Sequence, residues 1–172
     1  MRRRWALRKT ERGLTTVEFS IVGSLLFVVL FAIIEFGRTM YVITVLTEAT
    51  RRGARLAAVC PVNDPYPAQG AVFAYGGSSS PVVAGLTTSN VVIEYLDGNG
   101  NVISSPSPDF ADTAANFDAI RYVRAQIVNF SMQLMIPFFD PTLSLSGFAA
   151  TIPRESLGVP RTWPANSPLP PC

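Results

Sequence analysis

The sequence predicts an α+β protein: a long amino-terminal transmembrane-plus-stalk helix with a small antiparallel sheet domain packed on its outer half. Three observations carry that expectation. A charge-free apolar run from Phe19 to Ile34 lies directly behind a cluster of basic residues. Past that run a helical repeat of apolar and small residues continues to Cys60, and no proline occurs between Met1 and Val59. Short β-branched stretches then alternate with turn-forming residues, as strands of a half-buried sheet do. The 172 residues leave room for one core of ordinary size plus an anchor.

Residues 1–13 read as a basic cytoplasmic leader, holding Arg2, Arg3, Arg4, Arg8, Lys9 and Arg12, six of the fourteen Lys and Arg side chains. Basic residues beside a span stay on the cytoplasmic side. The expectation is therefore a single pass through the inner membrane, amino terminus in the cytoplasm and carboxy-terminal domain in the periplasm. The span is assigned to residues 14–36. Counted from Leu14 to Ile34 its apolar part has 21 residues, close to the ~20 that a bilayer core requires. That count takes in Glu18, a carboxylate costly to face towards lipid at depth, so Glu18 belongs near the interface or beside a partner charge. A removable signal peptide fits less well. No small-x-small cleavage site follows the apolar run, which passes straight into Glu35, Phe36, Gly37 and Arg38.

Residues 37–60 are expected to form a helical stalk. Val42, Leu46, Ala49, Gly53, Leu56 and Cys60 alternate spacings of four and three along one stripe, while Thr44, Glu48, Arg51 and Arg55 repeat on the other face. The stripe reads either as the core face against the following domain, which is preferred, or as an oligomer seam. Glu48 is spaced to pair with Arg51 or Arg52. From Leu14 to Val59 one helix would extend about 69 Å at ~1.5 Å per residue. Pro61 ends it.

Residues 61–172 are assigned to the exported α+β domain and its proline-rich tail. Residues 61–90 lack a sustained period and read as loop with one short helix. Val91 to Leu96 reads as a strand that turns through Asp97, Gly98, Asn99 and Gly100 into Asn101, Val102 and Ile103, a hairpin signal. The same turn is oxygen-rich but lacks the loop length and closing Glu of a calcium site. From Ala119 to Leu134 a long strand is expected, with Val123, Ala125 and Ile127 on one face and Val128, Phe130, Met132 and Leu134 on the other. The phase flip between Ile127 and Val128 calls for a bulge or bend. Pro137 and Pro141 bracket a loop with Phe138, Phe139 and Asp140, after which Leu143, Leu145, Gly147 and Ala149 mark one more strand. In an exported chain the two cysteines point to a disulfide, Cys60 to Cys172; an intermolecular bridge or two free thiols are the alternatives. Such a tether would hold down a tail rich in Pro160, Pro164, Pro168, Pro170 and Pro171.

Several chemistries are disfavoured. The chain has no histidine, which removes the commonest general base, the usual triads and the commonest catalytic zinc sets. Nucleophile-elbow and phosphate-loop motifs are absent. Asp109 and Asp112 read as helix-capping residues more readily than as a catalytic carboxylate pair. Beyond Pro61 four Arg stand against eight Asp and Glu, a net of −4, so nucleic-acid binding by the exported part is not expected. No enzyme activity and no cofactor is expected.

One stretch carries a functional signal. Gly13, Leu14, Thr15, Thr16, Val17, Glu18 and Phe19, set between leader and span, resemble the prepilin-peptidase site of Flp-type pilins and pseudopilins: a Gly, four residues, then Glu and an aromatic. Downstream, Ile33, Ile34, Glu35, Phe36, Gly37 and Arg38 are similar to the EFGR element of TadE-like proteins, and Ala49 to Arg55 to the family's stalk. A looser resemblance covers 119–155. At Glu35 and Arg38 an interfacial ion pair and an assembly contact are both compatible with the spacing.

The resemblance implies a minor pseudopilin or assembly factor of a tight-adherence (Flp-type) pilus. It would be cut after Gly13, leaving Leu14 as the new amino terminus and Glu18 as its fifth residue. Glu18 could then seek a neighbour's α-amino group within packed helices. The implied partners are the prepilin peptidase, TadE-like or TadF-like pilins or pseudopilins, and the pilus secretion platform, with entry into an extracellular pilus as one outcome. The alternative is a permanently anchored, uncleaved periplasmic binding or sensor module.

Overall fold

The computed structural model describes residues 12–104, 106, 114–135, 141–159 and 171–172, by backbone alone at 12–14 and 114–116. The expectations placed on residues 1–11, on Asp109 and Asp112, on Pro137, Phe138, Phe139 and Asp140, and on Pro160, Pro164, Pro168 and Pro170 lie outside the described residues.

The first element is one helix, α1, Arg12–Val59. Uninterrupted runs of Leu, Val, Ile, Phe and Ala without proline allow its length. It closes where Cys60 still donates its N–H to Leu56 O at 2.8 Å and Pro61 has none to give. By compactness the chain divides into two units, Met1–Thr39 and Met40–Cys172. In the first, the apolar side chains from Val17 to Phe36 are largely exposed. Thr15–Val59 is long and apolar enough, by length and composition, to cross a membrane. Two hydroxyls inside this apolar stretch are satisfied locally: Ser20 Oγ donates to Thr16 O at 2.8 Å and Ser24 Oγ to Ile21 O at 2.9 Å.

The second unit packs an antiparallel sheet on the rest of α1. Strand β1 (Val91–Leu96) pairs with β2 (Tyr122–Ile127), which pairs in turn with β5 (Ala149–Pro153), in the order β1-β2-β5. Val123, Ala125 and Ile127 face Tyr95, Ile93 and Val91 across one ladder, and Val123 and Ala125 face Ile152 and Ala150 across the other. These residues form the inner face. A separate two-stranded ladder joins β3 (Ser131–Gln133) to β4 (Thr142–Ser144). Two short helices complete the unit, α2 (Tyr66–Ala71) and α3 (Ala114–Ala119).

The core has two parts. Val42, Leu46 and Ala49 of α1 cluster with Val72, Leu86, Ile127, Phe130 and Met132, whereas Ala57 and Ala58 cluster with Tyr95, Phe117, Ile120, Val123 and Leu157. Gly53 lies between them in sequence. A Cβ added there would stand 3.0 Å from Ala71 Cβ and 3.3 Å from Ala125 Cβ, so the missing side chain is what lets α2 and β2 approach the helix. The expected stripe is thus the core face of the stalk, Leu56 being only half-buried, while Thr44, Glu48, Arg51 and Arg55 are exposed.

Four expectations of detail are corrected. The hairpin after β1 keeps its turn, but the return arm makes a single bridge, Leu96 to Val102, on one edge of β1, while the ladder forms with β2 on the other edge. The long strand from Ala119 is two strands in two sheets. Its start is taken by α3, and its break falls at Val128 to Phe130, where Asn129 adopts φ 51° and the Asn90 amide donates to Val128 O and Asn129 O, both at 3.2 Å. The late strand likewise divides into β4 and β5, with Gly147 at φ 92° between them. Among the described residues Glu48 pairs with neither Arg51 nor Arg52. Arg52 instead stacks over Phe73 and Tyr75, 5.1 and 5.3 Å from the ring centroids, and donates to the Tyr75 hydroxyl.

Candidate functional site

The residues singled out in the sequence fall into three places. Gly13 and Leu14 lie in the first turn of α1, directly after Arg12. The first backbone N–H groups of a helix have no partner within it, so this turn opens at little cost, and glycine is a poor helix former besides. Glu18 and Phe19 follow on exposed positions, Phe19 with 78% of its surface free.

Glu35 lies 17 residues beyond Glu18, about 26 Å along a helix at ~1.5 Å per residue. There the acid and base meet. Arg38 Nη2 donates to Glu35 Oε1 at 2.7 Å and Nε to Oε2 at 3.2 Å, a two-pronged contact one turn apart on the same helix. Thr39 Oγ1 adds a bond to Glu35 O at 2.9 Å. The guanidinium neutralises a carboxylate at the end of the apolar run, where a lone charge would resist lipid. Phe36 beside the pair is exposed.

The third place is the end of α1. Cys60 and Cys172 form a disulfide, and Cys172 N donates to Asp64 Oδ2 at 3.1 Å. Beside it, residues after β5 fold back over the helix terminus, a clasp that sequence reasoning missed. Glu155 N and Leu157 N donate to Ala58 O at 3.2 and 3.1 Å, and Gly158 N to Val59 O at 2.6 Å. The preceding Arg154 donates to Phe117 O at 2.6 Å and lies over the Phe117 ring. Nearby, burial pushes the Tyr95 phenol above its ordinary value; an Asn63 backbone hydrogen bond acts against this and the Asp64 charge adds to it. A cross-strand pair was also missed: Arg124 Nε donates to Glu94 Oε2 at 2.6 Å on the outer face of the sheet. Its signal was present as opposite charges at outward positions of two alternating segments.

None of these groups makes a catalytic constellation. Among the described residues no group of three or more His, Cys, Asp or Glu could hold a metal ion. What remains is a long helix with a distinctive start, an ion pair at the end of its apolar run, and a sheet packed on its remainder. Residues 13–55 match the family model described as TadE-like protein. This segment is TadE-like.

The TadE-like match opens at Gly13, the residue before the expected cut, and closes inside α1. It takes in Glu18, Phe19, the Glu35–Arg38 pair and the stalk as far as Arg55, about a quarter of the chain. The sheet, the clasp, the disulfide and the looser resemblance over 119–155 lie beyond it. No curated protein and no solved structure matches the chain. What the match covers is the helix that is long and apolar enough, by length and composition, to cross a membrane, together with part of the stalk beyond it.

Proposed function

We propose that this chain is a minor pseudopilin or assembly factor of a tight-adherence (Flp-type) pilus, processed by a prepilin peptidase after Gly13 and acting as a scaffold in initiation or assembly, not as an enzyme. The observation that carries the reading is the TadE-like match beginning at Gly13, where a basic leader meets the apolar helix. Removing the leader would discard the charges that hold the amino terminus in the cytoplasm. The exposed apolar face of the first unit supports lateral packing with other pilin helices, and Glu18 would find its countercharge there, in a neighbour's α-amino group. The sheet domain would lie in the periplasm, where its disulfide is at home.

The test is the amino-terminal residue and intact mass of the protein purified from membranes with and without the cognate prepilin peptidase. A start at Leu14 that depends on the peptidase supports processing. An intact Arg-rich leader in both strains overturns it, and the uncleaved, permanently anchored module becomes the better reading.

A further inference from the structure

We infer that Asn99 is a site of spontaneous self-modification, at which the backbone nitrogen of Gly100 attacks the Asn99 side-chain amide and expels ammonia, and that Asp97 holds this reaction in check. Every group involved lies in the turn after β1, so the reaction is independent of any cut at Gly13.

The chemistry needs an asparagine and an unobstructed backbone N–H directly after it. That nitrogen adds to the side-chain carbon Cγ; a C–N bond forms, the N–H proton passes to hydroxide, and the amide nitrogen leaves as ammonia. Water then opens the cyclic imide at either carbonyl, giving aspartate or, where the chain now runs through the side chain, isoaspartate. The balance is one amide and one water consumed for one carboxyl group and one ammonia. A side chain on the following residue obstructs the attack, and glycine removes that obstruction. Among the asparagines of the chain, Asn99 alone precedes a glycine.

The structure separates two candidates in the same turn. Asp97 also precedes a glycine, Gly98, and an aspartic acid can close the same ring by losing water. Its carboxylate is already committed. Oδ1 accepts the backbone N–H groups of Asn99 and Asn101, both at 2.8 Å, and Oδ2 accepts the Asn101 side-chain amide at 3.1 Å. These donors, the Asn101 backbone N–H foremost, hold the carboxyl below its ordinary value, and an ionised carboxylate is a poor target for a nucleophile. Asn99 is exposed, and among the described residues its side-chain amide meets no partner. The amides of Asn63, Asn90 and Asn101 are bonded instead, to Pro106 O, Val128 O and Asp97 Oδ2.

The same bonds make the reaction slow in the folded chain. Gly100 N–H, the attacking group, donates to Asp97 O at 3.1 Å, and Asp97 N donates to Asn101 O at 2.9 Å. Attack requires Gly100 to leave that acceptor, so the turn must open first. Asp97 resists opening because its carboxylate gathers the N–H groups on both sides of Gly100. It is a positioning residue, acting through the backbone and not on the reacting atoms. Once the ring has opened, a new carboxylate stands beside Asp97, and the isoaspartate form carries one more carbon in the backbone ahead of Gly100. The arm that follows is short: Val102 bridges Leu96, and Ile103 N donates to Tyr95 O at 2.8 Å. Modification therefore loosens the cover on that edge of β1 and frees Tyr95 O and Asp97 N, groups that an uncovered strand edge presents.

The experiment uses the full chain in detergent with its disulfide oxidised, held at mildly alkaline pH in water enriched in the heavy oxygen isotope, then digested and mapped by mass spectrometry. The expected result is conversion of amide to carboxyl at position 99 with uptake of heavy oxygen, and none there in Asn99→Gln, whose longer side chain must close a larger and slower ring. Asp97→Ala, checked for an unchanged circular dichroism spectrum, should convert about threefold or more faster, as fits the loss of hydrogen bonds to a charged acceptor. Asp97→Ser keeps a short acceptor and should restore part of the restraint. In the modified fraction the Ile103 N–H should lose protection against hydrogen exchange. An Asn99 that converts in the urea-unfolded chain but not in the folded one overturns the inference, since the turn then forbids the reaction. Heavy oxygen at Asp97 without loss of ammonia moves the site to Asp97 and overturns it too. Equal rates in the unsubstituted, Asp97→Ala and Asp97→Ser proteins overturn the role given to Asp97.

Discussion

Gly158 donates its backbone N–H to the carbonyl oxygen of Val59, the last residue of α1, at 2.6 Å. A helix leaves its final carbonyls unpaired, and here chain from beyond the last strand supplies the donors. Glu155, Leu157 and Gly158 thereby tie the sheet to the helix end covalently linked to Cys172.

That contact requires glycine twice over. Gly158 has φ 79°, and a Cβ there would stand 2.5 Å from Pro61 Cγ. Gly158→Ala should therefore destabilise the domain by about 2–4 kcal/mol, combining left-handed strain with overpacking. Gly147→Ala is the comparison, since Gly147 has φ 92° but nothing within 4 Å of an added Cβ. It should cost only the conformational part, about 1–2 kcal/mol. Guanidinium unfolding of both variants in detergent checks the ranking, and equal losses would remove the Pro61 contact from the account.

The disulfide acts on the same end of the helix through the unfolded chain. Cys60 and Cys172 are separated by 112 positions, and closing a loop of that size contributes up to about 4.7 kcal/mol in the chain-entropy model. Cys172→Ser should lower the unfolding midpoint clearly, whereas Asp64→Asn, which removes the acceptor of the exposed bond to Cys172 N and weakens the Asp64 Oδ1 bond to Tyr66 N, should cost only about 1 kcal/mol. If reductant leaves the midpoint of the unsubstituted protein unmoved, the tether contributes nothing to stability.

Asp97 should show itself at acid pH. The backbone N–H of Asn101, then its side-chain amide, hold the Asp97 carboxyl below its ordinary value of 3.8. A lowered folded-state value means that the contribution is fully present above 3.8 and fades as pH falls through the folded value beneath it. Carboxyl-carbon NMR titration should place the Asp97 midpoint below 3.8. Asp97→Asn should remove the corresponding acid loss of stability, and a midpoint at or above 3.8 would contradict the turn geometry.

Much of this architecture was legible because its signals are local. α1 could be read from the lack of proline and the stripe through Val42, Leu46 and Ala49, and the TadE-like start from Gly13, Glu18 and Phe19. The turn at Asp97 was equally plain. Its pairing was not, because the arm at Val102 adds only one bridge on one edge of β1, while the six registered partners on the other edge come from β2, far along the chain. The face change at Ile127 and Val128 was visible, but a bulge and a passage into a second sheet invert side chains alike. Asn129 at positive φ, held by the Asn90 amide, decides for the latter. The clasp at Gly158 had no local signal: its acceptors are carbonyls of a helix nearly a hundred residues earlier.

The approach of the sheet to the stalk gives the last prediction. At Gly53 the nearest neighbours of an added Cβ are Ala71 at 3.0 Å and Ala125 at 3.3 Å, small side chains on α2 and β2. Gly53→Ala sets a gain in helix propensity of about 1 kcal/mol against two tight contacts, and should leave stability nearly unchanged. Gly53→Leu has no such balance, because its outer carbons would have to enter space held by α2 and β2. Overpacking of this kind costs about 1–3 kcal/mol. On the exposed face Arg51→Leu should stay within about 0.5 kcal/mol. Urea unfolding of the three variants, each in the full chain, separates a helix that merely passes the sheet from one seated on it. A Gly53→Leu variant as stable as the Gly53→Ala variant would mean that α2 and β2 do not meet α1 at this glycine.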